Sequence, residues 1–361
     1  MDRVRDITRD IRLLSQLVLA PATCESNVDL SSSDFGISDL QTIRDLANSN
    51  HVILRAFRPL ELSLRADRKY EEAEWVMAAI DQEHARIKHA VGFLQQICAA
   101  MEEGGCPVVV IKSLDHWPDL GSDLDLYTDA EADRVVEIMR AQFNATVEAR
   151  SWGDRFANKW NFVIPGLPEL VEVHVGRLGQ MGEQTDVTRS LMLRSRMAQV
   201  GAHQFRVAAP EDRIVISTLQ RMYRHFYIRL CDILDNAQLL DGQQVDFTCL
   251  RSLGSATGLW EGIATYLSII SDYVEEYRGS GVPLAPFVTR SAKFGADQVR
   301  FRRHFLRVSI LPHSVALYAS ELASLWRKGE YRNSLRLSLL PCLATCAALE
   351  QKLSGSDKGI W

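Results

Sequence analysis

The sequence predicts an α+β protein, with a small mixed β-sheet core flanked by N- and C-terminal helical regions. Three observations carry that expectation. An apolar stripe at helical period fills much of the first hundred residues, the pattern switches to short β-branched runs after Gly104-Gly105, and helical period returns from Pro210. The boundaries fall at 1–105 for the N-terminal helical region, 106–208 for the core and 209–361 for the C-terminal helical region.

The stripe is clearest over residues 70–101, where Val76, Ile80, Ile87, Val91, Leu94, Cys98 and Met101 recur at steps of three, four or seven. Weaker helical patterns cover 6–19 and 38–65, separated by a serine-rich loop at 31–33. The run 107–111 is apolar and β-branched, as in a strand buried on both faces. Residues 124–128 predict a second strand, 130–143 a helix, and 144–149, 160–164 and 170–175 three more strands. Pro210 suits a first helical turn. From it, Val215, Leu219, Met222, Phe226, Leu230, Ile233, Ala237 and Leu240 predict one continuous helix closed by Asp241-Gly242. Further helices are expected over 258–277, 292–308 and two segments within 314–353, with a linker at 279–283 and a frayed end at 354–361.

Composition narrows the function classes. Of 361 residues, 47% are hydrophobic and 24% charged, ordinary for a globular chain, and the net charge of −5 supplies no global field toward nucleic acid. Seven cysteines, at 24, 98, 106, 231, 249, 342 and 346, lack the paired spacing of a disulfide framework. Cys342 and Cys346 lie one helical turn apart, with no second Cys/His pair nearby to complete a zinc site. The first twelve residues mix Asp and Arg, and the apolar run 13–20 ends at Pro21, unlike a signal peptide. The apolar stretch 335–349 is broken by Pro341 and is shorter than the roughly 20 residues a membrane span needs. These features predict a cytoplasmic protein with no membrane partner.

The chemistry-bearing segment is Val108-Val-Val-Ile-Lys112-Ser113, followed after nine residues by Asp123-Leu-Asp125-Leu-Tyr. Residues two apart on a strand share a face, so Asp123 and Asp125 project together, about 7 Å apart at the backbone. Their mutual repulsion is relieved by a hard divalent cation such as magnesium, which prefers carboxylate oxygens. Glu172 sits between valines in Leu170-Val-Glu172-Val-His-Val, where an isolated buried carboxylate is costly unless a metal or a cation meets it. His174 shares its strand face, as a support for the acids or as a structural histidine.

This arrangement resembles the nucleotidyltransferase superfamily with the polymerase-beta-like core, and within it a bacterial group of uncharacterised nucleotidyltransferases. In that group a strand ending in Lys-Gly precedes an Asp-x-Asp strand and a later acidic strand. Here Lys112-Ser113, Asp123, Asp125 and Glu172 stand at those positions, and the likeness covers roughly residues 70–240. Ser113 replaces the group's glycine, and Asp119-Leu-Gly-Ser122 stands where an arginine is usual. The resemblance implies catalysis by Asp123, Asp125 and Glu172, which would hold two Mg2+ ions. Lys112, Ser113 and Ser122 would contact the phosphates of a nucleoside triphosphate, whose nucleoside monophosphate passes to an acceptor on a small molecule or a protein.

A second polar cluster, Arg221, Arg224, His225, Arg229 and Asp232, lies on the predicted Pro210 helix. There Arg221, His225 and Arg229 would share a face, turned toward phosphate or acceptor, or toward solvent. His225 and Arg229 are therefore counted with the nucleotide-binding candidates. The basic run 293–307 reads as a charged helix face or an RNA contact. No Gly-x4-Gly-Lys-Ser/Thr loop, Gly-x-Gly-x-x-Gly turn, Gly-x-Ser-x-Gly elbow or His-Glu-x-x-His pair occurs. Two other readings stand beside the enzyme: a catalytically degenerate nucleotide-binding scaffold, and a toxin-like enzyme that modifies tRNA ends.

Overall fold

The structure, a computed structural model, describes residues 7–20, 36–302, 304–308 and 310–340. The serine-rich loop at 31–33, Cys24, Cys342, Cys346 and the tail 354–361 lie outside the described residues. Four helices come first: α1 (Ile7–Leu19), α2 (Ile37–Ser49), α3 (Ile53–Ala66) and α4 (Tyr70–Glu103). The α4 stripe is buried as its period requires, through Val76, Ile80, Ile87, Val91, Leu94 and Met101. Gly104 caps the helix, and Gly105 turns the chain at φ +77°, a conformation a side chain would strain.

A seven-stranded mixed sheet follows. Its strands are β1 (Val108–Val110), β2 (Asp123–Thr128), β3 (Thr146–Val147), β4 (Lys159–Val163), β5 (Leu170–Val175), β6 (Arg196–Val200) and β7 (His203–Val207). Their order across the sheet is β3-β4-β5-β2-β1-β7-β6. Strands β2 and β5 run parallel at the centre, and β1 pairs β2 antiparallel. Leu124, Leu126, Val171 and Val173 are fully buried on one sheet face, part of the same cluster as the α4 stripe and as Val135 and Met139 of α5 (Ala132–Phe143). That burial turns the opposite parity, including the acids, to the other face.

The α+β class holds, with helical segments before and after a mixed sheet along the chain. The sheet has two strands beyond the expected five, because β6 and β7 form a hairpin whose residues Arg196, Met197, Gln199 and Gln204 are exposed. A hairpin with one wet side carries no continuous apolar run to announce it. Two short helices inside the core, α6 (Trp152–Phe156) and α7 (Thr185–Arg194), are likewise too short to show a period.

Two expectations are corrected in the C-terminal part. The continuous Pro210 helix is broken into α8 (Pro210–Thr218), a π-helical turn (Leu219–His225), a left-handed Phe226 at φ 54°, strand β8 (Tyr227–Ile228) and α9 (Leu230–Asp241). The Asp232 carboxylate accepts the Arg229 backbone N–H at 2.7 Å, which starts α9 as a new helix. Met222, Ile228 and Leu230 are buried on either side of the break, so the apolar count continues although the helix does not. The expected helix over 292–308 does not form: a 3-10 turn (Ala296–Gln298) leads into a hairpin, β9 (Val299–Arg302) and β10 (Phe305–Val308), which joins β8 in a three-stranded sheet. Phe301, Leu306 and Val308 lie on its apolar parity, a period of two that the intervening arginines obscure.

Beyond α9, the chain forms α10 (Phe247–Thr257), α11 (Trp260–Arg278), α12 (Pro286–Ser291), α13 (Val315–Arg327) and α14 (Tyr331–Ser338). No helix among the described residues is long and apolar enough to cross a membrane.

Candidate functional site

Strand register assembles the site. Asp125 of β2 lies directly beside Glu172 of β5, and Asn161 of β4 lies beside Glu172 on its other flank. One row further along, Tyr127, His174 and Lys159 are register partners in the same way. Side chains in register share a face, so carboxylates, imidazole, carboxamide and ammonium meet on one patch of sheet.

Lys112 enters this patch from the end of β1. It occupies φ 60°, ψ −59°, and the Ser113 N–H donates to the Ile111 carbonyl at 2.6 Å, which makes Lys112 the centre of a positive-φ γ-turn. That turn is rare and strained, and such strain clusters at functional sites. The Lys112 ammonium is ion-paired with Asp125 Oδ1 and lies 3.3 Å from Glu172 Oε1. Lys159 Nζ approaches Glu172 Oε2 at 2.8 Å and Asp154 at 3.0 Å. His174 Nε2 donates to Glu172 Oε1 at 2.8 Å and lies 4.0 Å from Asp125 Oδ1. Two buried atoms on this face have no hydrogen-bond partner among the described residues, His174 Nδ1 and Asn161 Oδ1.

The charge states follow from these contacts. Burial, opposed by the Lys112 ammonium and assisted by Glu172, pushes the Asp125 carboxyl up to about 7. Burial works the same way on Glu172, but Lys112, the His174 hydrogen bond and Lys159 outweigh it and hold that carboxyl well below its ordinary range. Burial also lowers His174 to about 4, so its imidazole is neutral at pH 7. Glu172 therefore carries the firm negative charge of the pair.

Ser113 holds the turn onto the acidic strand. Its hydroxyl donates to the Asp123 carbonyl at 3.1 Å and accepts the Asp125 N–H at 2.7 Å. We predict that Ser113→Ala costs about 1–3 kcal/mol, because it leaves the buried Asp125 amide without a partner. Urea denaturation of the variant measures that loss, and an unchanged midpoint would show the hydroxyl to be dispensable. Ser122 is exposed, with its hydroxyl 3.4 Å from Asp123 Oδ2.

The loop before Asp123 is held from outside. Asp119 accepts the Leu54 N–H at 2.6 Å and so anchors the loop to the start of α3. The Arg86 guanidinium, from α4, donates to the carbonyls of Leu120 (3.0 Å) and Gly121 (3.3 Å), and pairs with Glu169 and Glu83. An arginine thus reaches the loop that has none of its own.

Asp125, Glu172 and His174 each offer a ligand atom within 4.8 Å of the others. Two carboxylates, a neutral imidazole and the free Asn161 oxygen form a donor set that fits one divalent cation, with the oxygen donors suited to Mg2+ or Mn2+. Asp123 stands outside that close group, two residues back along β2 at its more exposed end. His174 had a sequence signal in its strand parity with Glu172. Lys159 and Asn161 had none, since antiparallel register with β5 is a long-range property.

The break after His225 separates the second cluster. Arg224 lines a cavity of about 40 Å³ next to Lys112 and His174, together with Gln180 and Gln220. It has no ion-pair or hydrogen-bond partner among the described residues. His225 is held neutral chiefly by burial, then by Arg224, Arg221, Arg229 and Lys112. Arg229 lies apart from the acids, with its guanidinium 2.5 Å from His51 Nε2 and over the ring of Phe305. Arg221 is buried against Asp232 at 2.6 Å. The expected shared helix face of Arg221, His225 and Arg229 is therefore absent, because no single helix carries all three.

Beneath the Lys112 turn lies another polar knot. His116 Nδ1 is hydrogen-bonded to Asp235, the Cys231 sulfur lies 3.9 Å from His116 Nε2, and Arg55 pairs with both Asp235 (2.7 Å) and Asp119 (2.9 Å). His116, Cys231 and Asp235 are close enough to share an ion. Both Asp235 oxygens are already taken there, Oδ1 by Arg55 and Oδ2 by His116 Nδ1. The four cysteines among the described residues, Cys98, Cys106, Cys231 and Cys249, are unbridged.

Fold and site together define an α+β protein with a buried carboxylate–imidazole centre, internally paired with two ammonium groups, on one face of a mixed sheet. No family model matches this chain, and no curated protein matches it. A solved structure of the antibiotic-resistance factor ANT(2'')-Ia is similar over 46% of this chain and 91% of that one, at 14% identity and a TM-score of 0.34. A likeness of that size carries no argument about activity.

Proposed function

We propose that the protein is a magnesium-dependent nucleotidyltransferase, moving a nucleoside monophosphate from a nucleoside triphosphate to a hydroxyl or similar acceptor on a small molecule or protein. The observation that carries this reading is the pairing of Asp125 with Glu172 on adjacent parallel strands, beside His174 and under the Lys112 turn. Asp125, Glu172 and His174 would hold the cation, with Asp123 at the open end of the same strand face. When bound, the cation lowers the pKa of an acceptor hydroxyl and neutralises charge on the phosphates.

The chain's own residues have distinct tasks in this scheme. Before a cation binds, neutral His174 fixes the orientation of Glu172 through its Nε2–H. Ser113 sets the distance between the Lys112 turn and the Asp125 backbone. Lys112 presents the cation nearest to where phosphate would lie. Ser122 borders the open side beside Asp123, and His225 would supply a neutral, buried imidazole next to Arg224. Arg229, held against His51, would act on nucleotide or acceptor only from outside the acidic centre.

One observation favours a second reading, a nucleotide-binding scaffold without turnover: Lys112 and Lys159 already neutralise the carboxylates that a metal would bind. Incubation with each of the four nucleoside triphosphates and Mg2+, with pyrophosphate as the readout, separates the two. Magnesium-dependent pyrophosphate release is expected. Nucleotide binding without release would support the scaffold, and neither binding nor release would sink both.

A further inference from the structure

Resting on the nucleotidyl-transfer reading, we infer that Lys112 is an exchangeable internal counter-cation: a divalent ion at Asp125 and Glu172 displaces its ammonium into the adjoining cavity, where Lys112 and Arg224 together bind the polyphosphate of the nucleotide. The two ammonium groups at the centre differ in how they are held. Lys159 keeps a second carboxylate, Asp154 at 3.0 Å, which is itself fixed by the Ser151 amide (3.0 Å) and hydroxyl (2.7 Å). Among the described residues Lys112 has only Asp125 and Glu172, the two carboxylates that a metal requires. A cation arriving there leaves Lys159 paired and Lys112 without a partner. Lys112 is the group that must move.

It has somewhere to go. The polar lining of the cavity of about 40 Å³ is Lys112 itself, His174, Gln180, Gln220 and Arg224, and the rest of its wall is apolar side chains and one glycine. A water-sized group needs only about 10–15 Å³ of such space. The γ-turn holds the Lys112 backbone at the junction of acids and cavity, so side-chain rotation alone connects the two positions. Once there, its ammonium stands beside the unpaired Arg224 guanidinium, and two like charges in a partly buried space repel until an anion joins them. A polyphosphate meets that need, with Arg224 as a planar fork, Lys112 as a point charge and the two glutamine carboxamides as neutral hydrogen-bonding partners. Metal binding and polyphosphate binding thereby reinforce each other.

Manganese binding to the whole protein, followed by electron paramagnetic resonance of the free ion, tests the exchange. A lysine that occupies the carboxylates about nine-tenths of the time weakens apparent metal binding about tenfold, so Lys112→Met should bind Mn2+ about tenfold more tightly. Lys159→Met removes a neighbouring charge, but Lys159 does not have to leave for the ion to bind, so the variant should tighten binding by clearly less than Lys112→Met. Equal tightening in both variants would mean a general charge effect and would overturn the exchange. Lysine ammonium 1H–15N spectra supply a readout that survives if Lys159→Met fails to fold. The resonance missing from Lys112→Met should shift when Mg2+ is added to the wild type, while the other buried ammonium stays; a stationary Lys112 signal overturns the inference. Arg224→Ala should bind Mn2+ normally and lose about tenfold or more in affinity for magnesium tripolyphosphate. Wild-type tripolyphosphate affinity in that variant removes the anion site. Absence of any Mn2+ binding by the wild type would remove the nucleotidyl-transfer reading itself, and this inference with it.

Discussion

Asp125→Asn is expected to lower magnesium-dependent pyrophosphate release by about 10³-fold or more, equivalent to about 4 kcal/mol of transition-state stabilisation. Asparagine keeps the shape of the side chain and removes the charge. The fold should survive, because Lys112 retains Glu172 at 3.3 Å and Glu172 retains His174 and Lys159. The Asp125 backbone amide also stays bonded to Ser113. A circular dichroism spectrum and a cooperative unfolding transition close to wild type would confirm that the loss is chemical. A variant with full turnover would end the assignment of this centre. Asp123→Asn offers a graded comparison, since Asp123 lies outside the close donor group and should cost less if one ion dominates.

The largest effect on stability is expected at Arg221, which is 2% exposed and paired with Asp232 at 2.6 Å. Arg221→Ala strands the Asp232 charge in the core and should cost about 3–5 kcal/mol. Loss of so large a buried side chain adds a cavity. A double variant, Arg221→Met with Asp232→Asn, removes both charges while preserving volume and the cap on the Arg229 amide. It should lose markedly less than the single alanine variant. Guanidinium denaturation of the two variants gives the comparison; equal losses would show that packing, and not the stranded carboxylate, dominates at this position.

The legible parts of the site were those set by local parity. Asp123 and Asp125 share a strand face, as do Glu172 and His174, because side chains alternate along any strand. The valines around Glu172 marked it as a buried carboxylate in need of a cation. That need is met in the structure by Lys112 and Lys159. Lys112 was visible through its place at the end of a buried strand; Lys159 and Asn161 were not, because nothing in Lys-Trp-Asn-Phe-Val states which strand it will pair with.

The helical reading of residues 210–240 failed for a related reason. Burial of Met222, Ile228 and Leu230 satisfies an apolar count whether the backbone between them is helix, left-handed turn or strand. The break depends on Phe226 at positive φ, on Asp232 capping Arg229 and on β10 pairing with β8, and the last of the three is decided far from any local window. As a result Arg224 lines the cavity beside Lys112, while Arg229 turns to His51.

The amino-acid sequence by itself determined the α+β class, the long α4 stripe, the central strands and the acidic parity on which the proposed chemistry rests. Tertiary structure decided the register that sets Asp125 against Glu172, the pairing of Lys112 and Lys159 with those acids, the arginine supplied by α4 and the fracture of the Pro210 helix. The division has one physical cause. Period and burial are written residue by residue, whereas register and charge pairing are free-energy differences between whole arrangements of distant strands and helices.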